Sequence, residues 1–433
     1  MKIAVVGTGI SALSAAWGLK DRAELVFYDR RSRLGGHTAT VDIDYDGRPL
    51  SVDTGFIVYN TLNYPNLTAF FDLLGVKTEW SNMSFAVSTG GRKLEWSGDG
   101  LGSLFAQKRN FFSPSFLWML REIMRFNTKS HQDRKAGKTA GLSLGDYLSK
   151  RRFSKKFAEQ YLVPMGAAIW STPRSKMLEF PAESFIRFFE NHRLINWNRP
   201  EWRTVSGGSR SYHTKMLEKI GGEVRGGCAV TRIERKAGRV DVTDDTGRTE
   251  TYDHVIIGAH SDQALAMLAD PSDKEQRLLG DIQYRPNTVY LHRDPALMPQ
   301  RKKVWASWNY MEDKRPDDHS DVWVSYWMNR LQNISDDYPV FVTLNPPRPP
   351  APELTFGIYE YDHPQFDKPA LEAQKALPAL QGERNTWYCG AYHGYGFHED
   401  GMVSGIKVGE ALGGHYEWRG DQNTAVKRLA AAE

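Results

Sequence analysis

The sequence predicts an α/β fold whose central sheet is parallel and is assembled from distant parts of the chain. Three observations support this prediction. The chain opens with "KIAVVG", a continuous apolar run of the kind that forms a buried parallel strand. A second such run, "DHVIIGA", begins at Asp253, and a short third strand, "TWYCGA", begins at Thr386. Because buried parallel strands need neighbours on both sides, we expect these distant runs to share one sheet.

The first strand leads into a glycine turn that is typical of dinucleotide-binding domains. The stretch "GTGISA" places Gly7 at the tight turn and Gly9 where backbone N–H groups can approach a pyrophosphate. Ala12, in the third position, is small enough for close packing of a helix on the strand. The next strand, "ELVFYD", ends in Asp29, which can accept hydrogen bonds from ribose hydroxyl groups. This order of elements predicts a Rossmann-type domain.

Length and composition limit the classes of protein that fit this sequence. A chain of 433 residues exceeds a simple single core, so we expect two domains. The net charge of +4 is small for this length and argues against nucleic-acid binding. The two cysteines form no disulfide framework, and the N-terminus reads as a strand instead of a signal peptide. No apolar run reaches 18 residues, so we expect a cytoplasmic protein.

The residues after Asp29 carry a resemblance to a known family. The stretch "YDRRSRLGGHTAT" adds a second glycine pair, and "VDTGFIVYN" follows it. Together with "GTGISA", these stretches resemble the FAD-binding signature of the flavin amine oxidase and phytoene desaturase superfamily. The second glycine pair favours FAD over NAD, since a nicotinamide domain does not need it. The resemblance assigns these further residues to the FAD site: Ser11, Arg30, Arg33, Gly35, Gly36, His37, Thr54, Gly55, Val230, Gly390, Gly401, Met402 and Val403.

The same resemblance implies a discontinuous FAD-binding domain and an α+β substrate domain that alternate along the chain. The glycine pair in "WRTVSGGSRSYHTKML" marks the point where the chain re-enters the FAD-binding domain. The expected FAD-binding segments are 1–85, 205–285 and 380–415, the substrate segments are 86–204 and 286–379, and 416–433 is a C-terminal tail.

The middle of the chain predicts a basic amphipathic helix, "SPSFLWMLREIMRFN", with Ser113 as N-cap and Pro114 in the first turn. One interpretation is a solvated helix packed on its own domain. The other is peripheral contact of residues 108–129 with the inner face of the cytoplasmic membrane. The expected apolar face is Phe116, Leu117, Leu120, Ile123 and Met124, and the other face carries Trp118, Arg121 and Arg125.

Two predicted strands between residues 303 and 331 are rich in large aromatic side chains. These side chains form either an ordinary sheet core or a wall around an apolar ligand. They are Trp305, Trp308, Tyr310, Trp323, Tyr326 and Trp327.

The stretch "GFHEDGMVSGIKVGEAL" near the C-terminus predicts a helix with Asp400 as N-cap and Gly401 at its start. The N–H groups of such a helix stabilise negative charge, which suits the reduced flavin of the resembled family. Proton transfer needs a base close to the reacting group. The candidates are His398 and Glu399 first, then His393 and Tyr395.

A closer resemblance covers nearly the whole chain and is carried by "VDTGFIVYN", "YLVPMGAAIWSTP", "WRTVSGGSRSY" and "GAYHGYGFHEDG". These stretches resemble bacterial predicted FAD-binding proteins that are associated with fatty-acyl methyltransferases, some of which are implicated in desaturating lipid acyl chains. The resemblance implies an oxidoreductase that moves a hydride from an apolar substrate, such as a membrane-lipid acyl chain, to flavin N5. It also implies a fatty-acyl methyltransferase as partner.

Three other functions remain open from the sequence. An amine oxidase of this superfamily often carries a lysine near flavin N5, but no lysine lies near Thr288, where the corresponding strand is expected. A non-redox flavoenzyme, such as a mutase or isomerase, uses the same fold. A lipid-binding partner of a methyltransferase would need no catalysis. We expect no metal site, because the histidines and acids lack a ligand spacing such as H-E-x-x-H.

Overall fold

The computed structural model describes residues 1–170, 174–191, 200–314 and 320–419; the end of "PMGAAIWSTP" and residues 420–433 of the predicted tail lie outside them. The strands are β1 (Lys2–Val6), β2 (Glu24–Asp29), β3 (Thr40–Tyr45), β4 (Arg48–Asp53), β5 (Val58–Asn60), β6 (Thr78–Trp80), β7 (Phe85–Thr89), β8 (Leu94–Ser97), β9 (Trp202–Val205), β10 (Glu223–Gly226), β11 (Val230–Lys236), β12 (Arg239–Asp244), β13 (Thr249–Tyr252), β14 (His254–Ile257), β15 (Tyr284–His292), β16 (Trp308–Lys314), β17 (Ser320–Trp327), β18 (Phe341–Leu344), β19 (Thr355–Pro364) and β20 (Thr386–Tyr388). The α-helices are α1 (Ile10–Leu19), α2 (Pro65–Leu74), α3 (Leu101–Leu104), α4 (Pro114–Lys135), α5 (Leu144–Lys150), α6 (Lys155–Phe157), α7 (Val163–Trp170), α8 (Arg174–Glu179), α9 (Ala182–Asn191), α10 (Arg210–Ile220), α11 (Ser261–Met267), α12 (Asp273–Gly280), α13 (Met328–Leu331), α14 (Lys368–Ala376) and α15 (His398–Ala411).

The central sheet of the molecule has five strands in the order β10-β2-β1-β14-β20, and every neighbouring pair is parallel. Its strands come from the beginning, the middle and the end of the chain. Ile3, Ala4 and Val5 in β1 are fully buried, as expected for a strand covered on both faces. The α/β fold with a parallel sheet, predicted from three apolar runs, is confirmed.

The first and last helices pack backbone against backbone beside this sheet. Gly405 and Gly409 on α15 face α1, where a Cβ on Gly405 would overlap the Ser11 carbonyl oxygen. A Cβ on Gly409 would come within 2.8 Å of the Ala15 carbonyl oxygen. Gly401, one turn earlier, faces Ile10. Glycines spaced four apart therefore form a flat stripe that lets two parallel helices lie in contact.

A second region contains a seven-stranded sheet in the order β19-β15-β18-β17-β16-β7-β8 and a layer of helices from α4 to α9. Its core is strongly aromatic, and stacked pairs such as Phe185 and Phe189, with ring centroids 4.3 Å apart, fill the space between helices. Trp308 and Tyr326 are cross-strand partners on β16 and β17. Within the described residues, no helix is both long and apolar enough to cross a bilayer.

The buried face of helix α4 agrees only in part with the predicted apolar face: Phe116 is buried, and Leu120 and Ile123 pack on the core. Ser113 caps it as expected, but Leu117 and Met124 are exposed. The buried face carries Phe116, Met119 and Phe126, and also Glu122. Glu122 can be buried because its carboxylate accepts hydrogen bonds from Ser154, including the backbone N–H at 2.8 Å. The predicted apolar face was therefore wrong for Leu117 and Met124.

The C-terminal tail begins as part of the core. Tyr416 and Trp418 are 3% and 6% exposed, although the sequence prediction placed them in a tail outside both domains. The Tyr416 hydroxyl donates to the Ser14 carbonyl oxygen at 2.8 Å, and Trp418 packs on Phe70. The tail prediction is therefore wrong for residues 416–418, because two large aromatic side chains close the end of α1.

Replacing Trp418 with alanine tests this packing. Removing a buried tryptophan leaves a cavity, and we expect the free energy of unfolding to fall by about 3 kcal/mol. Arg419→Ala is the matched control, since Arg419 forms only an exposed ion pair with Glu410, and we expect a change within about 0.5 kcal/mol. Thermal and urea unfolding measure both variants. Equal stability of the two variants would contradict a structural role for residues 416–418.

Candidate active site

A cavity of about 760 Å³ lies between the carboxyl edge of the parallel sheet and the seven-stranded sheet. This is the edge at which open α/β sheets bind ligands. One part of its lining is the turn between β1 and α1 together with the ends of β2 and β14. Another part is apolar and comes from α7, α9, β7 and β16–β18. The cavity is therefore polar where the nucleotide fold predicts a cofactor and apolar where the second region contributes.

The glycine turn has the geometry that a close approach requires. Gly7 has φ +96°, and a Cβ there would lie 3.0 Å from the Gly258 carbonyl oxygen. Gly9 has ordinary backbone angles, but it and Ser11 line the cavity at the N-terminus of α1. Ala12 lies behind them against Gly258. The N–H groups of this helix terminus are open to an anionic ligand in the cavity.

Asp29 both holds this turn and borders the cavity. Its carboxylate accepts hydrogen bonds from the Thr8 N–H at 3.1 Å, the Thr8 hydroxyl at 2.5 Å and the Arg31 N–H at 3.0 Å. An ionised carboxylate has about four acceptor positions, so one remains for a ligand hydroxyl. Arg30 and Val230 line the same part of the cavity.

The two residues of the second glycine pair have different roles. Gly36 lines the cavity, whereas Gly35 lies behind it and donates its N–H to the Thr8 hydroxyl at 2.9 Å. Arg33 points inward and donates to the Gly36 and Thr38 carbonyl oxygens at 3.0 and 3.3 Å. Arg33 and Gly35, both predicted to bind the cofactor, therefore shape the loop that Gly36 presents.

The loop around residue 55 completes this wall. A Cβ on Gly55 would overlap the His37 carbonyl oxygen, so only glycine allows the two segments to meet. Thr54 forms a hydrogen bond with the Tyr361 hydroxyl at 2.8 Å. Thr54, Gly55 and His37 all line the cavity, which links the Rossmann-type region to the seven-stranded sheet.

Helix α15 presents its N-terminus to the cavity, but it begins earlier than predicted. It starts at His398, and Asp400 is not the N-cap. Instead, the Asp400 carboxylate accepts from the Tyr395 and Phe397 N–H groups at 2.9 and 3.0 Å, which closes the preceding loop. Gly390, Phe397, His398 and Gly401 line the cavity.

Met402 and Val403 do not line the cavity, although the sequence prediction assigned them to the cofactor. Met402 is fully buried in the core of the Rossmann-type region. The helical period explains the difference, because neighbouring residues on a helix point in different directions. Of these three residues, only Gly401 lines the cavity.

His398 is the one predicted catalytic residue that reaches the cavity. Its ring stacks on Phe56 with centroids 3.9 Å apart, and its Nε2 atom pairs with the Tyr212 hydroxyl. Tyr212 in turn lies 2.7 Å from the Thr38 hydroxyl. Burial lowers the pKa of His398 to about 3, so the ring is neutral at physiological pH.

The other three catalytic candidates lie outside the lining. The Glu399 carboxylate accepts from the Asn66 side chain at 2.8 Å and from the Asn66 and Leu67 N–H groups at 2.9 and 3.0 Å, which caps α2. Tyr395 packs against Phe188. His393 lies beside Tyr392, and burial lowers its pKa to about 4. The Nε2 atom of His393 is buried and has no hydrogen-bond partner among the described residues. Of the four candidates, His398 alone lines the cavity, and its catalytic role stays a prediction.

The sequence prediction missed a group of rings around His37. Tyr361 and His363 on β19 lie 5.1 and 6.0 Å from the His37 ring, and His260 lies 6.3 Å from it. Tyr284 stacks on His260 at 4.4 Å. A signal existed in part, since His260 lies three residues after the end of β14, at the carboxyl edge of the sheet where ligands bind. The alternation that places Tyr361 and His363 on one face of β19 was also readable from the sequence.

The apolar part of the cavity does not identify a substrate, but its lining favours the entry of apolar molecules. Trp308 Nε1 and the Tyr392 hydroxyl are buried in the wall and have no hydrogen-bond partner among the described residues. Both groups are available to hydrogen-bond a water molecule or a ligand in the cavity. The apolar lining comprises Ile57, Val58, Met83, Phe85, Met165, Ala168, Ile169, Phe188, Val289, Trp308, Tyr326, Val342 and Leu344.

Two helix N-termini, a carboxylate at the end of β2 and a long cavity with a glycine-lined floor fit an FAD molecule. The predicted residues that line the cavity would hold the FAD, and the predicted residues outside the lining support that wall from behind. The fold and this site define an FAD-dependent oxidoreductase. The predicted contacts in the lining are Gly7, Gly9, Ser11, Asp29, Arg30, Gly36, His37, Thr54, Gly55, Val230, Gly390 and Gly401, and those outside it are Ala12, Arg33, Gly35, Met402 and Val403.

Comparison with known proteins agrees with this class. A sequence profile described as flavin containing amine oxidoreductase matches residues 10–303, which is more than half of the chain. The chain therefore belongs to the flavin-containing amine oxidoreductase family, and its cofactor is FAD. Comparison with curated protein sequences finds no match.

Solved structures share the fold at low sequence identity. Wild-type putrescine oxidase bound to putrescine has 14% identity and a TM-score of 0.66, with 95% of this chain and 99% of that chain covered. The CLA-producing fatty acid isomerase from P. acnes has 14% identity and a TM-score of 0.61, with 95% and 98% covered. Reduced UDP-galactopyranose mutase has 15% identity and a TM-score of 0.61, with 95% of each chain covered.

A Gly9→Ala variant tests the position of the pyrophosphate. Gly9 has ordinary backbone angles, and a Cβ there would meet only the Gly35 carbonyl oxygen at 3.9 Å, so the fold tolerates alanine. The methyl group would, however, project where backbone must approach a phosphate. We expect FAD affinity to fall about tenfold or more, measured by flavin absorbance and titration of the apoprotein. Gly98→Ala, in open space, is the control; unchanged affinity in Gly9→Ala would place the pyrophosphate elsewhere.

The buried histidines predict that acid destabilises the fold. Burial lowers the pKa of His363 to about 4 and that of His398 to about 3, and it also lowers the pKa values of His37 and His260. The unfolded chain binds protons near pH 6.5 while these folded rings do not, so stability falls as pH drops from 6.5 towards 4. Thermal midpoints between pH 8 and pH 5 measure this.

His363→Gln supplies the matched comparison for the pH dependence. Each such histidine contributes about 1.4 kcal/mol per pH unit inside the window, so the variant should lose less stability on acidification than the wild type. A thermal midpoint that stays constant or rises between pH 7 and pH 5 would show that these rings are not buried in their neutral form.

Proposed function

We propose that this oxidoreductase dehydrogenates an apolar substrate, of which a membrane-lipid acyl chain is the best candidate. The single observation that carries the proposal is the apolar part of the cavity. Aliphatic, methionine and aromatic side chains from α7, α9, β7 and β16–β18 form it. An acyl chain would bury its CH₂ groups there at about 0.8 kcal/mol each. When bound, the flavin accepts hydride equivalents at N5.

The protein's own groups supply binding, exclusion of water and proton transfer. A carbon skeleton that has lost a hydride has strongly acidic neighbouring C–H bonds, so a weak base suffices to remove the proton. His398 is neutral and its Nε2 atom is paired with Tyr212, which leaves Nδ1 to exchange a proton with a ligand. The hydride and this proton together account for the two hydrogens of a new double bond.

A second candidate function is isomerisation of an unsaturated acyl chain. The likeness in fold to a fatty acid isomerase that produces CLA supports it. In this case the substrate would lose and regain hydrogen in the same cavity, and the product would have the mass of the substrate. The apolar lining serves both candidates equally, so product mass separates them.

Amine oxidation is less well supported by the cavity. Among the described residues of the lining there is no lysine, the residue that amine oxidases of the resembled superfamily often place near the flavin. The carboxylates in the lining are Asp29, which holds the nucleotide turn, and Glu360 and Asp362 on β19. The likeness to putrescine oxidase in fold alone does not outweigh this lining.

The decisive experiment compares host lipids with and without the gene by mass spectrometry. We expect one acyl species that is lighter by two hydrogens when the protein is present. Ala168→Phe fills the apolar part of the cavity from its wall and should lower kcat/KM about a hundredfold while flavin content stays unchanged. Because Ala168 is buried, the thermal midpoint of the variant is measured to establish that it is folded. Ala411→Phe, an exposed alanine, is the control.

The alternatives give different results in the same assays. Flavin bleaching by putrescine or another amine, with no change in lipids, would overturn the proposal in favour of amine oxidation. A shifted double bond without loss of hydrogen would favour isomerisation. Full activity of Ala168→Phe on a long acyl chain would show that the substrate does not enter the apolar part of the cavity.

A further inference from the structure

We propose that residues 101–129 form a surface that docks on a membrane rich in anionic lipid. This docking surface comprises the apolar side chains described next and the basic side chains that surround them. The inference is drawn from the surface alone and stands whether or not the substrate is a lipid.

The docking surface concentrates exposed apolar side chains. Phe112 is 80% exposed, Leu101 76%, Phe111 58% and Trp118 52%. Large apolar side chains so exposed are usually scattered singly, and a contiguous group marks an interaction site. In the described residues, six of the exposed large apolar side chains lie within 24 positions, and they are Leu101, Phe111, Phe112, Leu117, Trp118 and Met124.

These side chains are brought together by local structure. Phe111 and Phe112 meet edge to face at 5.3 Å just before α4, and Phe111 packs on Phe105 at the same distance. On α4, Leu117 and Met124 lie seven residues apart, which places them on one face of the helix. Phe116, Met119 and Phe126 occupy the buried face. The helix is therefore apolar on both sides, and only one side is covered by the protein.

Charge separates this region from the rest of the molecule. Residues 101–156 contain 13 Lys and Arg and 3 Asp and Glu, a net charge of +10. The whole chain carries +4, so the remainder carries −6. Two of the three acids, Glu122 and Asp133, are buried and paired with groups of the protein. The exposed charge of residues 101–156 is consequently almost purely basic.

The basic groups lie beside the apolar ones. Lys108 and Arg109 are exposed and lie just before the two phenylalanines, separated from them by Asn110. The Arg121 guanidinium lies 5.0 Å from the Trp118 ring centroid, and Lys156 reaches Ser115 on α4 at 2.7 Å. A surface with apolar and aromatic side chains at its centre and Lys and Arg around them matches the interface of an anionic bilayer, where rings sit at headgroup depth.

The position of the docking surface relates it to the cavity. Helix α4 packs against α9, which contributes Phe188 to the apolar part of the cavity. Docking would therefore place the helical layer that walls this cavity against the lipid. If the proposed function holds, an acyl chain would reach the cavity from the bilayer through this layer. Docking itself needs no such reaction.

Vesicle flotation of the holoprotein tests the proposal. We expect binding to phosphatidylcholine vesicles that contain phosphatidylglycerol, weak binding to phosphatidylcholine alone, and loss of binding as salt rises. Trp118→Ser should weaken partitioning about tenfold, whereas the matched control Trp80→Ser, a tryptophan 55% exposed elsewhere, should leave it unchanged. Equal effects of the two variants would overturn the assignment of the surface.

Charge variants supply an independent measurement. Lys108→Gln with Arg121→Gln should weaken partitioning about 25-fold, since each basic group near an anionic surface contributes about fivefold. Lys219→Gln with Arg277→Gln removes the same charge from exposed positions on α10 and α12, outside the docking surface, and should have little effect on partitioning. Flavin content and turnover of a dispersed substrate should stay at wild-type levels in all these variants, which separates docking from catalysis.

Other occupants of the surface give distinct outcomes. If vesicles are not bound and the protein is instead a dimer that Trp118→Ser dissociates, a second copy covers the surface and the membrane proposal is wrong. The same holds if only a purified methyltransferase is bound through these residues. Equal binding to neutral and anionic vesicles would also overturn the role assigned to the basic groups.

Discussion

Backbone contact between the first and the last helix is the constraint on which the site depends. Gly405 and Gly409 let α15 lie parallel to α1, with Gly401 against Ile10, so both helices begin at the same cavity. Each helix N-terminus carries about half a positive charge. Two such ends at one place repel each other weakly, and a bound anion relieves this repulsion. The packing of two chain ends thus creates a site suited to a negatively charged cofactor.

The polar groups of the cavity are held by the protein instead of by water. His398 pairs with Tyr212, Thr54 pairs with Tyr361, and Asp29 accepts from three groups of the adjacent turns. Because burial keeps the histidines neutral, the walls contribute dipoles and proton-exchanging atoms without adding net positive charge. Such a site can accept an apolar molecule next to a charged cofactor, since few of its polar groups need water.

Prediction of the fold from the sequence succeeded where a local pattern of residues is typical of a single structure. Continuous apolar runs identified the strands of the parallel sheet, and Gly7 before a helix identified the nucleotide turn. Prediction was less complete where the same residue type has two possible structural roles. Met402 and Val403 were expected at the cofactor together with Gly401, but only Gly401 lines the cavity, and the packing of Gly405 and Gly409 on α1 was not predicted. A glycine in a helix carries no local signal that separates these roles.

Long-range contacts set the other limit. Glu399 looks like a base in the sequence, but it caps α2 through Asn66 and Leu67, more than 300 residues away. His260 and His363 meet around His37 from three separate segments. In α4, the apolar residues are frequent enough to permit two helical faces, and packing against a partner surface that includes Phe157, which contacts Phe126, selects one of them. Tertiary packing decides each of these cases.

The net charge of the whole chain does not indicate the strongly basic surface of residues 101–156. A net charge of +4 over 433 residues indicates little, yet it is the sum of +10 in residues 101–156 and −6 elsewhere. At physiological ionic strength a charge acts over about 8 Å, so a partner responds to the side chains that it meets and not to the total. The buried carboxylates of Glu122 and Asp133 strengthen this separation, because they pair with Ser154 and Arg151 inside the protein and leave the exposed charge of residues 101–156 basic. Residues 101–156 therefore supply both buried contacts of the core and the basic side chains of this surface.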